Sequence, residues 1–377
     1  MSRRWIAVSA AIILAFTLAV MAAAPKAEPA SAAAEEAAAY ALIEAETGRL
    51  LFAKNADTLL PMASTTKIMT ALVTLQNSSP DELVRVPDEA VGVEGSSVYL
   101  QRGESMTVRD LLYGLMLASG NDAAVALAVH VGGSVTGFVE MMNAKAAELG
   151  LAATRFVTPN GLDAEGHRTT AYELCLIARE AMKNADFREM VSTKYYRTES
   201  GACARTFKNK NALLWDYEGA FGVKTGYTSG AGRCLVYGAE REGMELIGCV
   251  LNCRPMFEAA SRMMDEAFDE YEKIGVVPAG QPAGKTYIRE GAENVLEVSS
   301  KSSIIAVMRK GERLRLTTRV DLPEYVEAPV SRGQTVGRLS VYDGDELVGE
   351  TELVAEKTVP KTDLGFWWRL LASLFAA

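Results

Sequence analysis

The spacing of apolar residues changes character twice along this chain, and the order of those changes leaves few folds open. Residues 39–45 (AYALIEA) and 49–54 (RLLFAK) flank Glu46-Thr47-Gly48, the pattern of a β-hairpin closed by a short Gly-containing turn. From Ser64 the period becomes helical, with Ile68, Leu72 and Leu75 recurring at three- and four-residue steps. Further helices are predicted at 107–118, where Thr107 can cap and Leu111, Leu112, Leu115 and Met116 form a stripe, and over Asp122–Val131, Val135–Leu149 and Thr170–Met182. The last of these follows a polar loop at Pro159–Arg168. Residues 221–226, 232–239 and 244–252 return to strand character, and an amphipathic helix at 255–273 closes the region. Strands, a helical block, strands and a final helix predict one α/β domain whose sheet is assembled from both ends of the segment.

Beyond Gly275 the runs shorten. Segments 285–289, 294–298, 303–308, 313–319, 335–342 and 346–354 are split by Gly, Pro, Asp or Lys pairs, which predicts a small all-β domain. The chain of 377 residues is long enough for two or three domains, and 49% apolar with 23% charged residues is globular composition. Its net charge of −9 argues against a nucleic-acid partner.

Both ends carry separate signals. Arg3 and Arg4, the apolar run Trp5–Ala24 and the small-residue stretch Ala30-Ser31-Ala32 read as a signal peptide with its cleavage site, an uncleaved anchor being the competing reading. Either way the body of the protein is expected outside the cytoplasm. Leu364, Trp367, Trp368, Leu371, Leu374 and Phe375 share one helical face in a segment too short to span a bilayer. An interfacial helix on the membrane surface is the reading preferred over one docked on the protein itself. The expected organisation is 1–34 signal peptide and spacer, 35–275 the α/β domain, 276–358 β-rich domain and 359–377 amphipathic anchor. Five cysteines, none in C-x-x-C spacing, give no metal or redox framework. They read as buried thiols, with a cross-strand Cys234–Cys249 disulfide as the alternative.

The chemistry is narrowed first by what is missing. There are two histidines, His130 in an Ala/Val-rich helix and His167 in a polar loop, and neither a G-x-S-x-G elbow nor an H-E-x-x-H helix. No metal or cofactor is expected. A serine activated by lysine remains. Ser64-Thr65-Thr66-Lys67 is the one S-x-x-K in the chain, and positions i and i+3 of a helix lie about 5–6 Å apart on one face. Alone the motif is weak. Ser119-Gly120-Asn121 lies between two predicted helices, where side chains can project into a cleft. Lys224-Thr225-Gly226 lies in the first strand of the later β region, where Lys and Thr can bind a carboxylate and Gly admits substrate backbone. S-x-x-K, S-x-N and K-T-G in that order, each in a fitting element, form a highly specific conjunction.

At these residues the chain resembles the penicillin-recognising serine enzymes. The stretches PMASTTKIMTAL, LMLASGNDAAVALA, FVTPNGLDAEGHRTTAYELCLIA, KNKNALL and GVKTGYTSGAGRCL narrow the resemblance to the low-molecular-mass penicillin-binding proteins that are D-alanyl-D-alanine carboxypeptidases. It covers about residues 36–275 and continues more weakly to the C-terminus. It implies a penicillin-binding/β-lactamase-like domain, an antiparallel sheet with helices plus a helical subdomain, followed by the β domain and amphipathic helix. It also implies that Ser64 attacks the penultimate D-alanine carbonyl of peptidoglycan stem peptides ending in D-Ala-D-Ala. Lys67 would then be the general base, Ser119 a proton relay toward the leaving amine, and Asn121 a holder of the peptide or its ligand network. Lys224 and Thr225 would bind the terminal carboxylate, Gly226 would let substrate approach, and Ser64 and Tyr227 N–H groups would hold the oxyanion. β-Lactam antibiotics would be covalent inhibitors. Family members often have histidine after K-T-G; with Tyr227 there, a backbone role survives and a side-chain role does not. Asp163 and His167 read as structural.

Other readings share these motifs. A β-lactamase would need a deacylating carboxylate, and no E-x-x-x-N stands before the fifth helix. D,D-Endopeptidase and transpeptidase activities use the same acyl-enzyme. A non-catalytic wall-binding protein is the alternative of a different class, and the full polar set argues against it.

Overall fold

The computed structural model describes residues 35–362. The expected signal peptide and C-terminal amphipathic helix lie outside the described residues. The chain divides into two compact units: one takes residues to Glu240 with Glu245–Met264, the other Arg241–Met244 with residues from Asp265 onward.

The first unit opens with the expected hairpin, β1 (Ala39–Glu44) and β2 (Leu50–Lys54). The helical block comprises α1 (Lys67–Asn77), α2 (Val108–Leu117), α3 (Asn121–Gly132), α4 (Val135–Glu148), α5 (Ala171–Ala181), α6 (Ala185–Ser192) and the short α7 (Leu213–Asp216). Two small hairpins interrupt it: β3 (Leu83–Arg85) with β4 (Ser105–Thr107), and β5 (Tyr195–Arg197) with β6 (Thr206–Lys208). Strands β7 (Ala220–Thr228), β8 (Gly232–Arg241) and β9 (Met244–Leu251) and helix α8 (Met256–Glu270) follow. The five-stranded sheet runs β2-β1-β9-β8-β7. β1 pairs antiparallel with both β2 and β9, so the sheet is built from both ends of the segment as expected.

Local chemistry explains the helix starts. Thr107, Ser134, Thr170 and Asn184 each accept a backbone N–H with the side chain at the start of α2, α4, α5 and α6. Helix α3 is apolar nearly all round, with Ala123, Ala124, Ala126, Leu127 and Ala128 wholly buried, and it therefore occupies the core. Leu72, Leu111, Leu115, Phe138 and Phe156 share that core. Each such side chain contributes about 1.5–3 kcal/mol by leaving water.

In the second unit β10 (Tyr271–Val277) pairs with β13 (Ile304–Arg309). A six-stranded sheet holds β11 (Pro282–Arg289), β12 (Val295–Ser300), β14 (Leu316–Asp321), β15 (Tyr325–Glu327), β16 (Thr335–Asp343) and β17 (Glu346–Ala355) in the order β14-β16-β17-β12-β11-β15. Its core is Leu296, Val298, Val330, Val341 and Leu353.

Cys175, Cys234, Cys249 and Cys253 are buried free thiols and Cys203 is exposed, so Cys234 and Cys249 are not bonded. Burial raises the Cys234 thiol to about 11.

Candidate active site

Ser64 lies in a single 3₁₀ turn, Ala63–Thr66, that leads into α1. Ala63 has φ of +49°, a left-handed conformation costly for a residue with a Cβ. Side chains hold the turn in place. Thr65 Oγ1 donates to Met62 O at 2.6 Å and Thr66 Oγ1 to Ala63 O at 2.8 Å. His167 closes the clamp: its Nδ1 accepts from Val157 N at 3.0 Å, which leaves the proton on Nε2, 2.8 Å from Thr66 Oγ1.

Lys67, the first residue of α1, is wholly buried. Its Nζ lies 2.9 Å from Ser64 Oγ and donates to Asn121 Oδ1 at 2.7 Å and to the Asn160 carbonyl. Asn121 Nδ2 donates to Glu94 O at 2.6 Å, which fixes Oδ1 toward the lysine. A neutral amine has two N–H donors and one lone pair. As an ammonium Lys67 donates to Ser64 Oγ as well; when the amine is neutral, the two oxygens that can only accept keep its two N–H donors and leave the lone pair for the Ser64 hydroxyl. Burial lowers the Lys67 pKa well below its ordinary value, and the charges of Lys224 and Lys210 lower it further; Asp122 opposes them.

Asn160 reaches Lys67 because its loop runs against the serine turn. Gly161 has φ of +84°, and a Cβ there would stand 2.0 Å from Ala63 O, so no other residue fits. Asp163 ties the same loop to the β7–β8 turn, accepting from Thr228 Oγ1 at 2.7 Å and from Gly230 N at 3.2 Å.

Ser119 sits between α2 and α3 with φ of +65° and is 5% exposed. Asn121 N donates to Ser96 O at 2.7 Å. The Asp122 carboxylate anchors that segment from within, accepting from Ser97 Oγ at 2.6 Å and from Val98 N and Leu100 N.

β7 is an edge strand, so alternate N–H and C=O groups face away from β8. A Cβ on Gly226 would lie 3.1 Å from Ser64 N, which places this strand directly against the serine turn. Lys224 is buried and donates to Thr225 O at 2.9 Å. Burial and then the Lys210 charge pull its pKa down to about 7. Tyr227 is 57% exposed, with the Arg233 guanidinium 5.8 Å from its ring centre. The K-T-G strand and the S-x-x-K turn therefore share one locality, and S-x-N joins them through Asn121.

Sequence reasoning did not single out the Asn160 carbonyl, Lys210 or the Thr66–His167 contact. His130 stands on α3 beside Glu82 and Ser78, away from these groups.

Burial lowers His167 to about 4, with Asp163 opposing and Lys67 adding to the shift. Its unfolded value is about 6.5, so the unfolded chain binds the extra proton between these values and stability falls as pH falls. This site's contribution is complete above pH about 6.5 and is lost through pH about 4, a change of about 3 kcal/mol. Urea midpoints measured from pH 7 to 4 will fall, and His167→Gln will show a shallower fall over the same window.

The profile of the D-alanyl-D-alanine carboxypeptidase family matches residues 25–254, and that of the penicillin-binding protein 5 C-terminal domain matches residues 271–361. The D-alanyl-D-alanine carboxypeptidase DacF of Bacillus subtilis is 34% identical over 330 residues, 85% of each chain. Penicillin binding protein 5 from Haemophilus influenzae superposes with a TM-score of 0.72 at 27% identity, over 86% of this chain and 98% of that one. A variant of the Streptomyces K15 DD-transpeptidase gives 0.59 at 39% identity, over 62% and 98%. Agreement over this length in both sequence and fold establishes that the chain belongs to the D-alanyl-D-alanine carboxypeptidase family and is a serine-type hydrolase among the low-molecular-mass penicillin-binding proteins.

Proposed function

We propose that this protein removes the terminal D-alanine from peptidoglycan pentapeptides through an ester on Ser64. The observation that carries this reading is the Lys67 amine, buried, held by two acceptors and 2.9 Å from Ser64 Oγ. Lys67 takes the Ser64 proton as Oγ bonds to the penultimate D-alanine carbonyl carbon. The oxyanion is held by the N–H groups of Ser64 and Tyr227, preorganised donors worth several kcal/mol in such a site. Ser119, whose hydroxyl has no hydrogen-bond partner among the described residues, passes the proton from Lys67 to the leaving amine as the C–N bond breaks. Asn121 holds Lys67 in place and is available to the peptide amide. Lys224 and Thr225 bind the departing residue's carboxylate, and Gly226 keeps the strand edge open. Water then adds to the ester, giving its proton to Lys67, and Ser64 recovers a proton as the shortened peptide leaves. A β-lactam carbonyl presented in the same place acylates Ser64.

Mass spectrometry of a pentapeptide muropeptide after incubation tests the assignment. The expected product is the peptide one alanine shorter. Cross-linked dimers as the main product would instead favour transpeptidation, as the K15 neighbour's description suggests.

Export, and attachment to the outer face of the membrane through residues 363–377, belong to the same proposal. The composition of those terminal segments supports it. Deleting residues 363–377 should move the protein from the membrane fraction to the soluble one with its activity intact. Continued association would implicate residues 5–24.

A further inference from the structure

We propose that Tyr195, Trp215, Lys194 and Lys208 form a subsite for the glycan strand of the wall polymer, separate from the cleft that acts on its stem peptide; this rests on the substrate class proposed above. The two rings stand nearly perpendicular, 82°, with centres 6.0 Å apart, and they are 57% and 38% exposed. Lys208 Nζ lies 5.3 Å from the Trp215 ring centre and 5.9 Å from that of Tyr195, and Lys194 Nζ lies 5.8 Å from Trp215. Neither ammonium pairs with a carboxylate among the described residues. The corner is thus apolar and cationic on a chain whose net charge is −9.

Adjacent exposed aromatics of this kind mark contact surfaces. Pyranose rings offer apolar C–H faces that lie on aromatic rings, and the stems of a peptidoglycan strand carry carboxylates that pair with ammonium groups. A polyol-phosphate chain would match the charge but has no ring face for Tyr195 and Trp215. Position also favours the substrate polymer. Lys208 ends β6, and Lys210, two residues on and so within about 7 Å, donates to Ser96 Oγ at 3.1 Å in the segment that holds Asn121. A strand lying on the corner would keep its stem peptides at high local concentration near Ser64.

Three variants test this: Tyr195→Ser, Trp215→Ala and the double Lys194→Glu/Lys208→Glu. D-Alanine release is measured from a soluble pentapeptide and from peptidoglycan sacculi stripped of other polymers, with cosedimentation on the same sacculi. Expected are soluble-peptide kcat/KM values within about twofold of wild type, with release from sacculi and cosedimentation both weakened by about tenfold. Unchanged values on sacculi, equal losses on both substrates, or binding seen only with polyol phosphate present would each overturn the subsite. Tyr195→Ser, at an open position, guards against a folding defect in Trp215→Ala. No release from soluble peptide by the wild-type protein would defeat the peptidase reading itself, a separate outcome.

Discussion

Lys67→Ala protein will remain folded yet take up labelled penicillin about 10³- to 10⁴-fold more slowly than wild type, and Ser64→Ala will not be labelled at all. The serine result follows from removing the atom that forms the ester. The lysine result follows from the charge state of a buried amine. Lys67 is fully enclosed and close to two other cations, and burial first and then those charges push its pKa well below the ordinary value, toward the form that can act as base. Alanine removes that base and also leaves Asn121 Oδ1 and the Asn160 carbonyl without their donor. A buried acceptor left unpaired costs about 1–3 kcal/mol, so some loss of thermal stability should accompany the kinetic loss. Lys67→Met, closer in length but without a donor, should recover packing alone: the two acceptors stay unpaired and none of the rate returns. Stopped-flow acylation with the melting temperature of each variant is the measurement. Wild-type labelling in Lys67→Met would remove the proposed base.

The motif side chains of this site were legible in the sequence; the backbone contacts, Lys210 and the Thr66–His167 contact were not. Ser64 and Lys67 are readable as a pair because one helical turn fixes their separation. Lys224 could be assigned to a strand from β-branched and Gly-punctuated neighbours, although its place against the serine turn depends on β7 being the sheet edge. The Asn160 carbonyl has no residue signature. It reaches Lys67 only through the left-handed Gly161, and any Gly in a polar loop looks alike in sequence. His167 likewise acts through Thr66, a contact between side chains 101 residues apart that no motif spacing signals. In the fold, the predicted helix at 255–273 ends at Glu270 and β10 begins at Tyr271. No Gly or Pro separates them; Gly275 is the first breaker, and β10 is held by pairing with β13 rather than by local signals. The hairpins β3–β4 and β5–β6 have strands of three residues, too short for alternation to register.

Lys224→Gln should change both the size and the pH dependence of activity. A buried ammonium facing a substrate carboxylate contributes the kind of interaction whose loss costs about 2–5 kcal/mol, or about 30- to several-thousand-fold in kcat/KM, expressed mainly as a higher KM. The wild-type profile is expected to be bell-shaped. Its acid limb follows Lys67, which must lose a proton to act as base. Its alkaline limb in kcat/KM lies near pH 7, where Lys224 of the free enzyme loses the charge that binds carboxylate. Bound carboxylate stabilises that charge, so the corresponding limb in kcat moves to higher pH. Removing Lys224 abolishes the alkaline limb. It also relieves Lys67 of a neighbouring positive charge that lowers its pKa, so the Lys67 pKa rises and the acid limb moves to higher pH. A merely structural role for Lys224 would lower activity evenly at all pH values. Two limbs moving in these directions, in a protein that melts like wild type, require Lys224 to be charged and electrostatically coupled to the base that activates Ser64.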